Sequence, residues 1–257
     1  MTSGPELPSG PPTACIICST PRTGSTLLCR LLESTGVAGR PQSWFREEDL
    51  GKWARRWGLP LAGDAPASFP DYVAAAIRAG RTDNQVFAAR LMWGSMDRLV
   101  DGLAMPGTPN HAACLTAAFG PLRYIYIHRE DIVAQAVSWL RAEQTQVWHR
   151  LEGTTPAPNV APNYDFAALH DLVQTIHAHN AAWAHWFDNN RVQPLTLTYE
   201  TLDSDPVGTT QNLLSALGLA LPQGRDIGAP NIRLADATSD EWADRYRSDA
   251  AKASPRG

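Results

Sequence analysis

Between the apolar run ACIICS (14–19) and the helix-like STLLCRLLEST (25–35) lie Thr20, Pro21, Arg22, Thr23 and Gly24, so that TPRTGST gathers hydroxyls, a guanidinium and a glycine in one turn. A strand that turns straight into a helix N-terminus leaves backbone N–H groups without partners, and the helix dipole there favours negative charge. Gly24 permits close backbone approach, Thr23, Ser25 and Thr26 add hydroxyl donors, and Arg22 adds a charged fork. The expected ligand is a phosphate. An ordinary capped helix after a strand would use the same residue types. The loop of nucleoside-triphosphate hydrolases and kinases reads G-x-x-x-x-G-K-[ST] and needs its lysine at the terminal phosphates. Here Ser25 stands between Gly24 and Thr26, and Lys52 and Lys252, the chain's two lysines, are both remote in sequence. That argues against a standard Walker enzyme.

The surrounding elements follow from periodicity. Leu27, Leu28, Leu31 and Leu32 recur at helical spacing, and Gly36 closes that helix. Helices are expected at 47–58 and 69–80, a second strand at 85–93, and helices near 95–103 and 111–119. RYIYIHR (123–129) alternates as a strand, and 131–143 carries an apolar helical face. Residues 152–163 hold three prolines and read as a loop, followed by a long helix at 165–189. VQPLTLTY (192–199) reads as a strand whose early Pro194 fits an edge or a strand start, with helices at 205–217 and 239–250 to close the chain. This order predicts an α/β fold with a central parallel sheet flanked by helices. Residues 1–13 read as a disordered tail and 14–257 as one domain, within the usual range for an α/β fold of 257 residues.

Composition sets further bounds. A net charge of −4 argues against a nucleic-acid partner. No stretch approaches the roughly 20 apolar residues of a membrane span. The N-terminus lacks the basic and apolar regions of a signal peptide, which places the protein in the cytoplasm. Cys15 and Cys18 are separated by Ile-Ile in a strand-like run and read as buried rather than redox-active or metal-binding. His170, His177, His179 and His185 share one helix without compact ligand spacing, so no metal is expected. Trp44, Trp53 and Trp57 fit core or interface packing better than a sugar-stacking wall.

STPRTGSTLL (19–28) resembles the 5′-phosphosulfate loop of sulfotransferases, which use 3′-phosphoadenylyl sulfate (PAPS). HREDIVAQAVSWLRA (128–142) resembles that superfamily's 3′-phosphate motif, whose roles fall on Arg129 and Ser138. An arginine fork and a hydroxyl suit a phosphate dianion. GVAGRPQSWF (36–45), RLMW (90–93), QAVSWLRAEQTQVW (135–148) and SDEWADRYRSDA (239–250) are together similar to the bacterial trehalose 2-sulfotransferase family. The resemblance implies a P-loop-kinase-like sheet, a homodimer, and transfer of a sulfuryl group from PAPS to a carbohydrate hydroxyl, with trehalose as the family default.

Sulfuryl transfer needs an in-line acceptor, donors on the nonbridging oxygens, stabilisation of the leaving phosphate and a base for the acceptor proton. The loop N–H groups, Arg22, Ser25 and Thr26 are assigned to the charges. The family's base is a Glu after Pro-Gln, a position held here by Ser43. Glu47 and Glu48 are candidate replacements, though first-turn carboxylates also simply complement a helix dipole. Arg90 stands where the family more often has Lys, either touching the sulfuryl oxygens or making a structural ion pair. A nucleotide-binding homologue without catalysis is the alternative that Ser43 raises.

Overall fold

The structure, a computed structural model, describes residues 13–148, 161–228 and 237–253. In chain order its elements begin with β1 Ala14–Ser19, α1 Ser25–Thr35 and α2 Glu47–Arg56, followed by a short antiparallel hairpin of β2 Leu61–Ala62 and β3 Ala65–Pro66. Next come α3 Phe69–Gly80, β4 Phe87–Met92, α4 Met96–Leu103, α5 His111–Phe119, β5 Leu122–His128 and α6 Ile132–Thr145. The chain continues with α7 Phe166–Asn189, β6 Leu195–Thr198, α8 Tyr199–Ser204, α9 Pro206–Ala216 and α10 Ala237–Ala253.

The main sheet has four parallel strands in the order β4-β1-β5-β6. Helices cover both faces, which makes this an α/β fold. β1 is buried along its whole length, as a central parallel strand must be when both faces are covered. Its side chains alternate between the two layers. Ala14, Ile16 and Cys18 join Trp44, Phe45, Tyr72, Phe87 and Trp183 on one side, while Cys15 and Ile17 join Leu28, Leu31, Leu32 and Leu214 on the other. A three-residue offset along a strand therefore sends Cys15 and Cys18 to opposite faces. Burial pushes the Cys15 thiol up to about 12, so it is a packing residue.

A third apolar cluster joins α6, α7 and α10 through Val137, Leu140, Ile176, Trp242 and Tyr246. It fixes α6 over the carboxyl ends of the strands, where parallel sheets bind ligands. No helix among the described residues is long and apolar enough to cross a membrane.

Two details depart from the periodicity. The fourth sheet strand stops at Thr198, and Tyr199 begins α8, because the Thr198 hydroxyl accepts from the N–H of Thr201 and caps a new helix. The Pro/Gly/Ala stretch before α3 contains the β2–β3 hairpin. The expected tail 1–13 falls outside the described residues except for Thr13, and the expected loop 152–163 falls outside them except for 161–163.

Candidate functional site

The turn after β1 is built on two left-handed residues, Arg22 at φ 68° and Gly24 at φ 77°. For a non-glycine such a conformation costs about 1–2 kcal/mol, so the surrounding contacts must enforce it. They come from three elements. Gln135 of α6, fully buried, donates from Nε2 to the Thr20 hydroxyl (2.9 Å) and to the Pro21 carbonyl (2.7 Å). Thr23 turns inward, its hydroxyl donating to the Thr20 carbonyl at 3.0 Å, which leaves its side chain closing the turn rather than facing the cavity. The Tyr199 ring lies on Gly24 so closely that a Cβ there would sit 2.6 Å from Cδ2. Only glycine fits.

The Arg22 side chain leaves this turn toward α6. Nε donates to Ser138 Oγ at 3.0 Å, and the guanidinium also donates to the Trp148 carbonyl. Arg129, at the end of β5, stacks on the Tyr199 ring at 4.6 Å and lies 3.8 Å from Glu200 Oε1, yet its buried Nε has no hydrogen bond. Burial, and then the Arg129 charge, push the Arg22 guanidinium down to about 10. Two guanidinium groups and a hydroxyl thus converge beside the N-terminus of α1. Such a cluster is stabilised by an anion.

Arg90, on β4, reaches the same turn from the other side. Its NH1 donates to Thr26 Oγ1 at 2.7 Å and approaches Ser25 Oγ at 3.5 Å, while Nε and NH2 both donate to Ser43 Oγ, at 3.0 and 2.7 Å. Three hydroxyls hold this guanidinium, with no carboxylate pair to it among the described residues. Ser43 arrives there because the 39–43 segment runs beside β4: the Arg90 N–H donates to the Gln42 carbonyl, and Gly39 passes so near Ala88 that a Cβ would lie 2.5 Å from the Ala88 Cβ.

These groups line one cavity of about 910 Å³, together with Gly24, Trp53, Trp139, His179, Glu47 and Glu48. Glu47 pairs with Arg98 at 2.5 Å and Glu48 with Arg46 at 3.1 Å, with the two carboxylate side chains 60% and 68% exposed. They stand in the first turn of α2. Lys52 also reaches this cavity, from α2 rather than from the turn. Trp44 is core, its Nε1 donating to the Ala88 carbonyl, whereas Trp53 lines the cavity.

Of the residues singled out in the sequence, by type or by resemblance, Arg22, Gly24, Ser25, Thr26, Arg90, Arg129, Ser138, Glu47 and Glu48 share this cavity, and the Thr23 side chain does not. Gln135, Tyr199 and His179 were missed. A signal existed for two of them: Gln135 lies one helical turn before Ser138 on the same face, and Tyr199 directly follows a strand end.

Residues 14–249 match the family model described as Stf0 sulphotransferase. The chain is 32% identical to the trehalose 2-sulfotransferase of Mycolicibacterium smegmatis, over 94% of this chain and 97% of that protein. It is 28% identical to the trehalose 2-sulfotransferase of Mycobacterium tuberculosis, over 92% and 95% of the two chains. Among solved structures, the sulfotransferase domain of the Synechococcus PCC 7002 olefin synthase aligns with 95% of this chain and 90% of its own at 17% identity and a TM-score of 0.47.

Proposed function

The chain belongs to the Stf0 sulphotransferase family and is a sulfotransferase, and from that premise we propose that it moves the sulfuryl group of PAPS to a hydroxyl of a carbohydrate, with trehalose the first acceptor to try. The observation that carries the reading of the donor is the pair of anion sites in one cavity. The turn at Gly24, Ser25 and Thr26 with the α1 N-terminus suits the 5′-phosphosulfate. The Arg129, Ser138 and Arg22 cluster suits a separate 3′-phosphate. A nucleotide phosphorylated at both positions satisfies both sites, whereas a triphosphate leaves the second one empty.

In the reaction the acceptor oxygen attacks sulfur in line, a new O–S bond forms, and the S–O bond to the phosphate breaks with its electron pair going to that phosphate. Arg90, held against Ser25 and Thr26, is placed to stabilise the sulfuryl oxygens, and the α1 N–H groups to receive the charge on the leaving phosphate. Backbone N–H is what Thr23 contributes. Glu47, Glu48 and Trp53 form the wall where a polyhydroxylated acceptor would lie. The homodimer is a further part of this reading.

The test is incubation with ³⁵S-labelled PAPS and trehalose, followed by polar metabolite extracts. A labelled sulfate ester together with adenosine 3′,5′-bisphosphate supports the reading. Labelled product from an extract but not from trehalose keeps the donor and replaces the acceptor. Label that stays on the nucleotide with every acceptor counts against catalysis by this route.

A further inference from the structure

The acceptor proton needs a base, and three observations narrow the choice. The Ser43 oxygen already accepts two hydrogen bonds from the Arg90 guanidinium. Glu47 and Glu48 are each paired with an arginine and more than half exposed to water. His179 is different. It lies on α7, lines the cavity, and carries a buried Nδ1 that meets no hydrogen-bond partner.

The helix sets its height. Trp183, four residues on along the same face, donates from Nε1 to the Ser19 carbonyl at 3.1 Å, the last residue of β1 before the turn. Trp183 also packs edge-on against Trp93, which follows β4, with ring centroids 5.2 Å apart. One helical turn is about 5.4 Å, and side chains tilt toward the helix N-terminus. His179 therefore stands one helical turn from the Trp183 anchor at the carboxyl ends of β1 and β4, toward the α7 N-terminus, and lines the cavity together with Met92 and the turn residues Arg22, Gly24 and Ser25.

We propose that His179 is the catalytic base: its Nε2, the ring nitrogen left to face the cavity, accepts the acceptor hydroxyl proton as that oxygen attacks sulfur. The bond from sulfur to the leaving phosphate breaks in the same displacement, and the imidazolium later releases its proton to water. Burial lowers the affinity of His179 for a proton, so the ring is neutral and ready to accept one at neutral pH. The assignment rests on the sulfuryl-transfer reading.

The experiment compares wild type, His179→Ala and His179→Gln with ³⁵S-labelled PAPS and the acceptor that wild type uses. Binding of adenosine 3′,5′-bisphosphate serves as the check on folding. General-base loss lowers kcat about 100-fold or more in both variants, with bisphosphate affinity within twofold, and added imidazole restores turnover to the alanine variant but not to wild type. Either variant turning over within fivefold of wild type overturns the proposal. So does a loss that imidazole leaves untouched, or a Glu47→Gln or Glu48→Gln variant that loses turnover to the same extent with imidazole-insensitive kinetics. If wild type itself transfers no label to any acceptor, the sulfuryl-transfer reading fails instead, which is a separable result.

Discussion

Arg22 and Arg98 both line the cavity, but Arg98 holds the carboxylate of Glu47, while Arg22 meets Ser138 and stands close enough to Arg129 to feel its charge. The same contrast runs through the two ends of the site. At the α1–α6 end the cations are largely buried: Arg22 hydrogen-bonds to neutral oxygens, while Arg129 stands 3.8 Å from the Glu200 carboxylate without a hydrogen bond from its Nε. At the α2–α4 end Arg98 and Arg46 are exposed and already paired, Arg98 with Glu47 and Arg46 with Glu48. Exposed pairs contribute about 0–1 kcal/mol each. A buried cation without a carboxylate partner among the described residues, as Arg22 is, costs the empty protein stability, which a bound anion restores. The first end keeps buried positive charge that suits an anion, whereas Arg98 and Arg46 at the second are already paired.

Five variants bear on this contrast. The largest effect belongs to Arg22→Ala and Arg129→Ala. A hydrogen bond to a charged group contributes about 1.5–3 kcal/mol, so each change should raise the Kd for adenosine 3′,5′-bisphosphate by about 10–150-fold in calorimetry. The stability of the empty protein moves differently. A cation whose folded value is pushed down, as Arg22 is to about 10, destabilises the fold at every pH below that value. Arg22→Ala should therefore leave the apo Tm unchanged or raise it, and a clear fall in apo Tm would mean that Arg22 is structural.

Arg90→Ala comes next. Losing a donor aimed at developing charge lowers kcat by about 100-fold, with bisphosphate affinity changed much less, as single-turnover kinetics beside binding would show. Gly24→Ala follows. A left-handed alanine with its Cβ at 2.6 Å from the Tyr199 ring should destabilise the protein by about 2 kcal/mol in denaturant melts and weaken anion binding with it. The smallest change is expected from Glu48→Gln, with stability altered by less than about 1 kcal/mol and bisphosphate affinity within twofold. An equal loss of nucleotide affinity in Glu48→Gln and Arg22→Ala would erase the distinction between the two ends.

The same contrast explains what could be read from the residues. The turn and the α1 N-terminus are contiguous, and their residue types declare an anion site, whereas Arg129 and Ser138 were legible through the resemblance of 128–142 to the sulfotransferase 3′-phosphate motif. β1, β4 and β5 were legible because buried parallel strands are continuous apolar runs or strongly alternating ones. Tyr199 was read as strand because tyrosine suits strands, but the Thr198 cap overrides that preference. Gln135 could be marked only through its place one helical turn before Ser138, and His179 was not legible as a site residue, since nothing local marks which face of its helix will meet a turn more than a hundred residues away. Thr23 looked like a donor by type, and the three-residue step back to Thr20 turned it inward. Arg90 could have made an ion pair as easily as a contact with the turn, and only the path of residues 39–43 beside β4 sets Ser43 against it.

The central claim is that the Arg22, Arg129 and Ser138 cluster recognises a 3′-phosphate. Calorimetric titration of the intact protein with adenosine 3′,5′-bisphosphate, adenosine 5′-monophosphate and ATP tests it most directly. The account predicts that the bisphosphate binds about 100-fold or more tightly than the monophosphate, with ATP no better than the monophosphate. Equal affinity for bisphosphate and monophosphate, or a preference for ATP, would contradict it.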